Sequence, residues 1–302
     1  MIEVIQVTGL CKSYGPVEAV IDVSFSVAEG EIFGLLGPNG AGKTTVVECL
    51  QGLRRADRGE IKVLGLDPQS EKPALRRLIG SQLQESALPE RIRVREALDL
   101  FASFVPGSPD WRILMDQWGL AAKANSSFAS LSGGQRQRLF VALALVNKPR
   151  LVFLDEMTTG LDPAARRTAW ELIRQIRDRG TAVVLVTHFM EEAEQLCDRL
   201  AVIDGGKIKA QGSPQGLINS YARSFKVIFS SDESDLTWLE KVPHVAKVAR
   251  RGRKVVIEGE GPVLALVAAA LVNRGITPDD LRVEQPTLED VFLAITGSHI
   301  AG

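Results

Sequence analysis

The segment Gly37–Thr44 constrains the fold of this chain more than any other feature, because its sequence GPNGAGKT fits the pattern G-x-x-x-x-G-K-[ST]. A nearly continuous apolar run, Ile32–Leu36, precedes it, and a helical pattern, Thr44–Leu50, follows it. Glycines let the backbone curl until successive N–H groups face one anion, and the start of a helix adds positive potential there. The order of strand, loop and helix therefore predicts an α/β fold whose loop cradles phosphate groups, and makes a chance glycine-rich turn the weaker explanation.

The same motif assigns roles to individual atoms. The ammonium group of Lys43 is expected to reach the β- and γ-phosphates of ATP, and the hydroxyl of Thr44 is expected to bind Mg²⁺. The residues that we expect to contact the nucleotide at this loop are Gly37, Pro38, Asn39, Gly40, Ala41, Gly42, Lys43, Thr44 and Thr45.

A second apolar run, Leu151–Leu154, ends in two carboxylates, Asp155 and Glu156. Ligands of parallel sheets lie at the carboxyl ends of the strands, so Asp155 is placed to hold Mg²⁺ directly or through water. Side chains alternate along a strand, so Glu156 points to the other side and is able to polarise the attacking water. An N-cap or a solvated turn would also explain the pair, but the phosphate loop favours the catalytic interpretation.

Another helix start with exposed backbone N–H groups is predicted at Leu131–Gln135, which has the sequence LSGGQ and precedes the helical pattern Arg136–Val146. Ser132 followed by Gly133 and Gly134 would leave N–H groups open to a second phosphate-sized anion. An ordinary serine N-cap would explain the same residues. Taken by itself, the segment leaves both interpretations open.

Three apolar runs rich in β-branched residues are typical of strands buried on both faces: Ile32–Leu36, Leu151–Leu154 and Ala182–Val186. Each is followed by a turn and then a helical pattern, an order that predicts a mostly parallel sheet in an α/β domain. Weaker strand patterns, expected to form an antiparallel edge or a second small sheet, are Glu3–Thr8, Ala19–Val27, Ile61–Val63 and Leu200–Asp204.

A helical insertion is expected at about residues 86–130. Arg95–Phe104 and Trp111–Leu120 have helical spacing and are separated by a loop at Pro106–Pro109. Near the end of the same domain, Gly205-Gly206 predicts a hairpin. These features together assign residues 1–215 to one nucleotide-binding domain.

The pattern changes after a predicted linker at residues 216–224. Residues 225–302 are expected to form an accessory α+β domain with the element order βαββαβ, which suggests a ferredoxin-like split. A charged turn is expected at Arg250–Arg253, and a last helix is expected to begin near Pro286 with the proline in its first turn. The other predicted elements are strands at Phe225–Phe229, Val245–Val248, Lys254–Glu258 and Leu281–Val283, and helices at Leu236–Val242 and Pro262–Val272.

Composition excludes several classes of protein. The 302 residues contain 36 Lys and Arg against 37 Asp and Glu, so no basic excess favours nucleic acid as a partner. Three widely spaced cysteines indicate neither a disulfide framework nor a metal site. The start of the sequence does not resemble a signal peptide, and the longest apolar stretches, Leu139–Val146 and Pro262–Val272, are too short to span a bilayer. If the protein works at a membrane, another chain has to cross it.

The segment Leu131–Gln135 resembles the signature sequence of the ABC ATPases, and further motifs of that family occur in the same order. Tyr14 resembles the aromatic residue that stacks on adenine, and Gln84 the glutamine that senses Mg²⁺ and the attacking water. Thr158–Asp162 resembles the D-loop, and His188 the switch histidine that holds the γ-phosphate. The resemblance implies an ATPase with Lys43, Gln84, Glu156 and His188 as catalytic residues, Thr44, Gln84 and Asp155 as metal ligands, and further nucleotide contacts at Tyr14, Ser132, Gly133, Gly134, Gln135 and Asp162.

That family resemblance also implies a paired enzyme. Two copies, expected to form a homodimer, would meet head to tail, so that the phosphate loop of one copy and Ser132 and Gly134 of the other clamp one ATP. One residue departs from the family pattern, because Met157 stands where a proline usually follows the catalytic glutamate. We therefore expect the loop Met157–Asp162 to be looser than in the family.

The end of the chain suggests a subtype. Gln285–Leu293 resembles the ending of ATPase subunits of ABC-2 type exporters, which include daunorubicin and multidrug resistance subunits. This implies an integral membrane permease as partner and a peripheral position on the cytoplasmic face of the cell membrane. A soluble regulatory or assembly ATPase that acts through ATP-driven dimerisation is the alternative. An apolar groove near Gln84–Leu100 would favour the permease, with Leu83, Leu88, Val94 and Leu98 lining the groove or belonging to the core.

Overall fold

The structure is a computed structural model that describes residues 2–82, 87–105, 110–222, 224–233 and 235–297. The chain divides into two compact units, Met1–Pro214 and Gln215–His299. Among the described residues, every helix is too short or too polar to cross a membrane.

The strands of the first unit lie in two sheets. They are β1 (Glu3–Tyr14), β2 (Val17–Ala28), β3 (Ile32–Leu36), β4 (Arg58–Val63), β5 (Ile79–Gln82), β6 (Leu151–Asp155), β7 (Ala182–Thr187), β8 (Arg199–Asp204) and β9 (Lys207–Gly212). The helices are α1 (Lys43–Leu50), α2 (Lys72–Leu78), α3 (Val94–Ser103), α4 (Trp111–Gln117), α5 (Gly133–Ala144), α6 (Pro163–Asp178) and α7 (Met190–Leu196).

The larger sheet has the order β5-β6-β7-β3-β8-β9, and all neighbours run parallel except the hairpin β8–β9. All residues of β3, β6 and β7 are buried, as the continuous apolar runs predict. The predicted α/β class with a mostly parallel sheet is confirmed, and so is the hairpin at Gly205-Gly206. Parallel strands that share one direction bring the loops after β3, β6 and β7 to the same edge.

One strand prediction is wrong about its partner. Leu200–Asp204 was expected at an antiparallel edge or in a small sheet, but β8 pairs in parallel with β3 inside the large sheet. Its antiparallel neighbour among the described strands is β9. The apolar segment of β8 is completely buried, and that burial selects an interior position. The antiparallel sheet, in the order β2-β1-β4, instead packs Phe25 of β2 on Phe33 of β3, with ring centroids 5.2 Å apart.

Helices α3 and α4 lie between β5 and β6, within the helical insertion predicted at about residues 86–130, and α5 follows that segment. The predicted loop Pro106–Pro109 lies outside the described residues. Val94 and Leu98 of α3 are fully buried, so they belong to the core and do not line a groove.

The second unit contains β10 (Phe225–Ser230), β11 (Val245–Arg251), β12 (Lys254–Gly259) and β13 (Arg282–Glu284), together with α9 (Val263–Asn273) and α10 (Leu288–Thr296). Helix α8 (Pro214–Tyr221) begins at the boundary of the units, and Thr237–Lys241 forms a 3-10 helix. The sheet order is β11-β12-β10-β13, with antiparallel neighbours throughout. This is the element order of a split βαβ unit, and its core lies between the sheet and α9.

Two local predictions in this unit are wrong. Arg250 and Arg251 continue strand β11, so the turn is shorter than the predicted Arg250–Arg253. The last helix starts at Leu288, because Thr287 and Asp290 form a capping box. Pro286 therefore lies before the N-cap and outside the first turn.

Candidate active site

The phosphate loop joins β3 to α1, and two of its glycines are required by backbone contacts inside this chain. A Cβ atom on Gly37 would lie 2.1 Å from the carbonyl oxygen of Ile203, and one on Gly42 would lie 2.3 Å from that of Ala19. Gly42 also has φ 101°, a conformation that other residues rarely adopt. The loop is thus held against β2 and β8 by contacts that only glycine permits.

Lys43 begins helix α1 and is almost completely buried. Its Nζ donates to the carbonyl oxygens of Gly37, at 2.8 Å, and Pro38, at 2.9 Å. Burial lowers the pKa of Lys43, whereas the negative charges of Glu156 and Asp155 raise that pKa. These influences show that the fold brings the ammonium group of the loop close to the acidic end of β6.

Asp155 is the last residue of β6 and is 3% exposed. Its Oδ1 atom is buried and has no hydrogen-bond partner among the described residues. Burial, and next the charge of Glu156, raise the pKa of Asp155 to about 6, although Lys43 opposes the shift. A buried carboxylate oxygen without a donor is an environment that a bound cation would stabilise.

The chemistry of the oxygen donors fits Mg²⁺. The described residues contain no group of three or more His, Cys, Asp or Glu side chains arranged to hold a metal. Mg²⁺ is commonly bound through one or two carboxylates together with phosphate oxygens and water. Asp155 supplies one carboxylate, and the exposed Thr44 at the start of α1 supplies a hydroxyl. These two residues are therefore consistent with a cation that the nucleotide itself helps to hold.

Glu156 and His188 meet across neighbouring strands. The Oε1 atom of Glu156 lies 3.0 Å from Nδ1 of His188, and both side chains are largely buried. Glu156 follows β6 with φ 48°, an uncommon left-handed conformation for a residue with a side chain. The β6–β7 pairing brings the two strand ends together, and the histidine ring also contacts Phe189, with centroids 4.1 Å apart. The predicted base and the predicted switch histidine are thus neighbours.

Tyr14 ends strand β1 and is 40% exposed. Two cations lie near its ring, because the Lys12 Nζ atom is 5.6 Å and the Arg54 Cζ atom 5.7 Å from the centroid. An exposed aromatic ring beside cations offers a surface on which a base can stack.

Ser132 is the N-cap of α5 and forms a capping box with Gln135. The Ser132 Oγ accepts from the Gln135 backbone N–H at 3.4 Å, and the Gln135 Oε1 accepts from the Ser132 N–H at 3.1 Å. A Cβ atom on Gly133 would meet nothing within 4 Å, and one on Gly134 would meet only Ala165, at 3.7 Å. Ser132 therefore does act as an ordinary N-cap, as one of the two interpretations predicts. Packing among the described residues, however, requires a glycine at neither Gly133 nor Gly134.

Three further predicted positions have mixed outcomes. Asp162 is the N-cap of α6, where its Oδ1 accepts from the backbone N–H groups of Ala164 and Ala165, both at 2.9 Å. Its contact with the nucleotide stays a prediction. Met157 is 2% exposed and packed into the core, so the structure does not support the expected looseness at this residue. Gln84 lies outside the described residues.

An apolar groove of about 570 Å³ lies beside the insertion. Leu88, which was predicted to lie either in the groove or in the core, lines the groove. Leu83 lies outside the described residues. Sequence reasoning missed Phe101 and Phe104, which line the groove and are 37% and 71% exposed. The buried face of α3 uses Val94, Ala97, Leu98 and Ala102. Phe101 and Phe104 are apolar residues beyond that face, and this excess in the sequence could have indicated an exposed apolar surface.

Comparison with known proteins gives a consistent result. Residues 20–159 match the family described as ABC transporter. The Nod factor export ATP-binding protein I of Rhizobium sp. (strain N33) is 40% identical over 97% of this chain and 97% of that protein. The corresponding protein of Bradyrhizobium diazoefficiens is 41% identical over 97% of this chain and 96% of its own length.

Solved structures of ATP-binding cassettes are similar to about 70% of this chain, a length close to that of its first unit. An ATP-binding subunit of an ABC transporter is 28% identical and covers 72% of this chain and 93% of its own, with a TM-score of 0.66. A dimeric bacterial ABC transporter cassette is 26% identical and covers 69% of this chain and 98% of its own, with a TM-score of 0.62.

Proposed function

The chain belongs to the ATP-binding subunits of ABC transporters, and from this premise we propose that it is the motor of an exporter whose permease is a separate membrane protein. The family assignment makes the chain an ATPase that works with a membrane partner and as a dimer. The export direction is supported by one observation, namely full-length similarity to proteins named for Nod factor export. An integral ABC-2 type permease as the partner, with this chain peripheral on the cytoplasmic face of the cell membrane, fits the same observation.

Hydrolysis would use the groups gathered at the edge of the parallel sheet. Lys43 would release its carbonyl partners and bind the β- and γ-phosphates of ATP. Glu156 would orient and polarise the attacking water, while His188, 3.0 Å away, keeps its carboxylate in place and contacts the γ-phosphate. Tyr14 would hold the adenine ring at the exposed side of the loop.

Mg²⁺ would be held by Asp155, directly or through water, and by the hydroxyl of Thr44. When bound, the cation supplies positive charge that neutralises the phosphate oxygens during transfer. Its charge would also favour ionised Asp155, which burial disfavours in its absence. Gln84 stays a predicted further ligand.

The second copy would complete the site. Gly133 and Gly134 have room for a side chain in this chain, so the surface that they keep open is suited to an approach from outside. A γ-phosphate is a suitable ligand for the N–H groups at the start of α5. ATP would then bridge two copies, and hydrolysis would remove the bridge.

The groove at Phe101 and Phe104 would receive a segment of the permease. Two exposed aromatic rings beside an open apolar cavity are typical of a docking surface for a helix. The alternative, a soluble regulatory ATPase that acts through dimerisation, would not need this surface.

One experiment tests the catalytic part. The substitution Glu156→Gln should keep ATP affinity, lower hydrolysis by about a thousandfold, and accumulate an ATP-bound dimer in size-exclusion chromatography. The matched control is Glu171→Gln on the exposed side of α6, which should hydrolyse ATP normally. Full activity of Glu156→Gln would remove Glu156 from its role.

A second experiment separates the two candidate functions. Affinity purification of the tagged chain from solubilised membranes should recover an integral membrane protein, and Phe104→Glu should reduce that recovery. Leu100→Glu is the control, because Leu100 is 45% exposed on α3 but does not line the groove. If the unsubstituted chain recovers no membrane protein, the regulatory ATPase becomes the better explanation.

A further inference from the structure

A buried carboxyl group that the proposed mechanism does not use lies behind the catalytic pair. Glu192 belongs to α7, the helix that begins two residues after His188, and it is completely buried. An ionisable side chain is almost never fully buried unless something stabilises it. The surroundings of Glu192 therefore decide what it does.

Its carboxyl group is only half satisfied. The Trp170 indole of α6 donates from Nε1 to Oε1 of Glu192 at 3.3 Å. The other oxygen, Oε2, is buried and has no hydrogen-bond partner among the described residues, and the same is true of the Thr158 hydroxyl. A buried polar atom without a hydrogen-bond partner destabilises the fold, so two such atoms in one region call for a functional explanation.

The hydroxyls of Thr158 and Thr187 lie close enough to the Glu192 carboxyl group to act on it, although Thr158 Oγ1 and Glu192 Oε2 do not meet hydrogen-bond geometry among the described residues. Burial raises the pKa of Glu192, whereas the hydroxyls of Thr187 and Thr158, and next the indole of Trp170, lower it. Arg166 of α6 also lowers this pKa and lies over the Phe189 ring at 4.9 Å. The Glu192 carboxyl group is thus influenced by Thr158, in the loop after β6, and by Thr187, at the end of β7.

Both neighbouring threonines are tied to the catalytic residues by the backbone. Thr158 lies two residues after Glu156 in a turn in which the Thr159 N–H donates to the Glu156 carbonyl at 3.2 Å. Thr187 directly precedes His188, and its Oγ1 accepts from the Phe189 N–H at 3.0 Å. A bond between Glu192 and Thr158 would fix the loop of the base relative to the strand of the histidine.

We propose that Glu192 is a positioning residue whose Oε2 accepts a hydrogen bond from the Thr158 hydroxyl when ATP is bound, and thereby holds Glu156 in place beside His188. The inference rests on the proposed roles of Glu156 and His188. It adds a contact between the D-loop segment and α7 that acts through the base and does not touch the nucleotide.

A double-mutant cycle on the full chain tests the proposal. Glu192→Met and Thr158→Val each remove one partner, and each should lower kcat for ATP hydrolysis about tenfold with KM for ATP unchanged. The double variant should be no slower than the single variants, because both lose the same bond. Glu192→Gln and Thr158→Ser retain an acceptor and a hydroxyl, so both should keep most of kcat.

Several outcomes would overturn the proposal. Additive losses in the double variant would show that the two side chains act separately, and equal loss in Thr158→Ser and Thr158→Val would exclude the hydroxyl. Should Glu192→Met fail to fold, the comparison of Thr158→Ser with Thr158→Val decides alone. If Glu156→Gln is inactive and the cycle is additive, only this inference fails, whereas an active Glu156→Gln rejects the proposed function itself.

Discussion

Two glycine-rich helix starts in this molecule have different physical reasons for their glycines. At the phosphate loop, Cβ atoms on Gly37 and Gly42 would collide with carbonyl oxygens of the same chain. At the start of α5, a Cβ atom on Gly133 would meet nothing, and one on Gly134 would make only an ordinary contact. The fold of one chain explains the first pair, whereas no contact among the described residues requires the second pair.

The phosphate loop and the start of α5 also differ in the charge of the side chains around them. Lys43 and Asp155 are buried near the first site, each with a pKa shifted by burial. The start of α5 is capped by the neutral pair Ser132 and Gln135 and is partly exposed. One site therefore contains buried charges, and the other is an open surface without charged side chains in its cap.

The largest effect is expected from Gly37→Ala. Its methyl group would lie 2.1 Å from the Ile203 carbonyl oxygen, so the loop has to shift, with a loss of about 3 kcal/mol of unfolding free energy. ATP binding should be lost as well. Guanidinium unfolding and a nucleotide-binding titration check both results, and a stable variant that binds ATP would contradict the packing argument.

Ser132→Arg should act on the other site alone. A bulky cation at the start of α5 would block the surface offered to the partner's nucleotide, lowering hydrolysis by about a hundredfold or more. ATP binding to a single chain should not change, and the loss of the Ser132 N-cap should lower the free energy of unfolding by only about 1 kcal/mol. Ser220→Arg, on the exposed part of α8, is the control. Normal turnover of Ser132→Arg would mean that the site does not span two copies.

Asp155→Asn should stabilise the nucleotide-free protein. The folded-state pKa of Asp155 is raised to about 6, so ionised Asp155 destabilises the fold as pH rises from about 4 through 6. At pH 7 the variant should gain about 2 kcal/mol of unfolding free energy, and the gain should vanish below about pH 4. Urea unfolding at both pH values measures this, and an equal gain at both would point to another cause.

The smallest effect should come from Gly133→Ala. Alanine fits the helical start without a collision, and the lower chain entropy of the unfolded state should stabilise the protein by about 0.5 kcal/mol. Hydrolysis by the paired copies should nevertheless fall. Thermal unfolding and ATPase assays on one preparation test both statements, and destabilisation would mean that the glycine has a role inside the chain.

Strand interiors and motif order were predictable because they depend on local residues. Buried parallel strands are nearly continuous apolar runs, so β3 has the predicted bounds Ile32–Leu36. The start of α10 was misplaced by two residues, because the Thr287–Asp290 capping box competes with Pro286. Strand partners depend on distant segments, so the parallel pairing of β8 with β3 did not follow from the pattern of β8.

The sequence by itself determined the fold class and the phosphate loop, and it predicted which residue types carry the chemistry, because each of these depends on local pattern and spacing. Only the tertiary structure decided that Glu156 meets His188 at 3.0 Å, that a buried Asp155 oxygen has no hydrogen-bond partner among the described residues, and that Glu192 is completely buried. Distances between groups far apart in the chain, and the desolvation of a charge, are set by the packing of all the elements together.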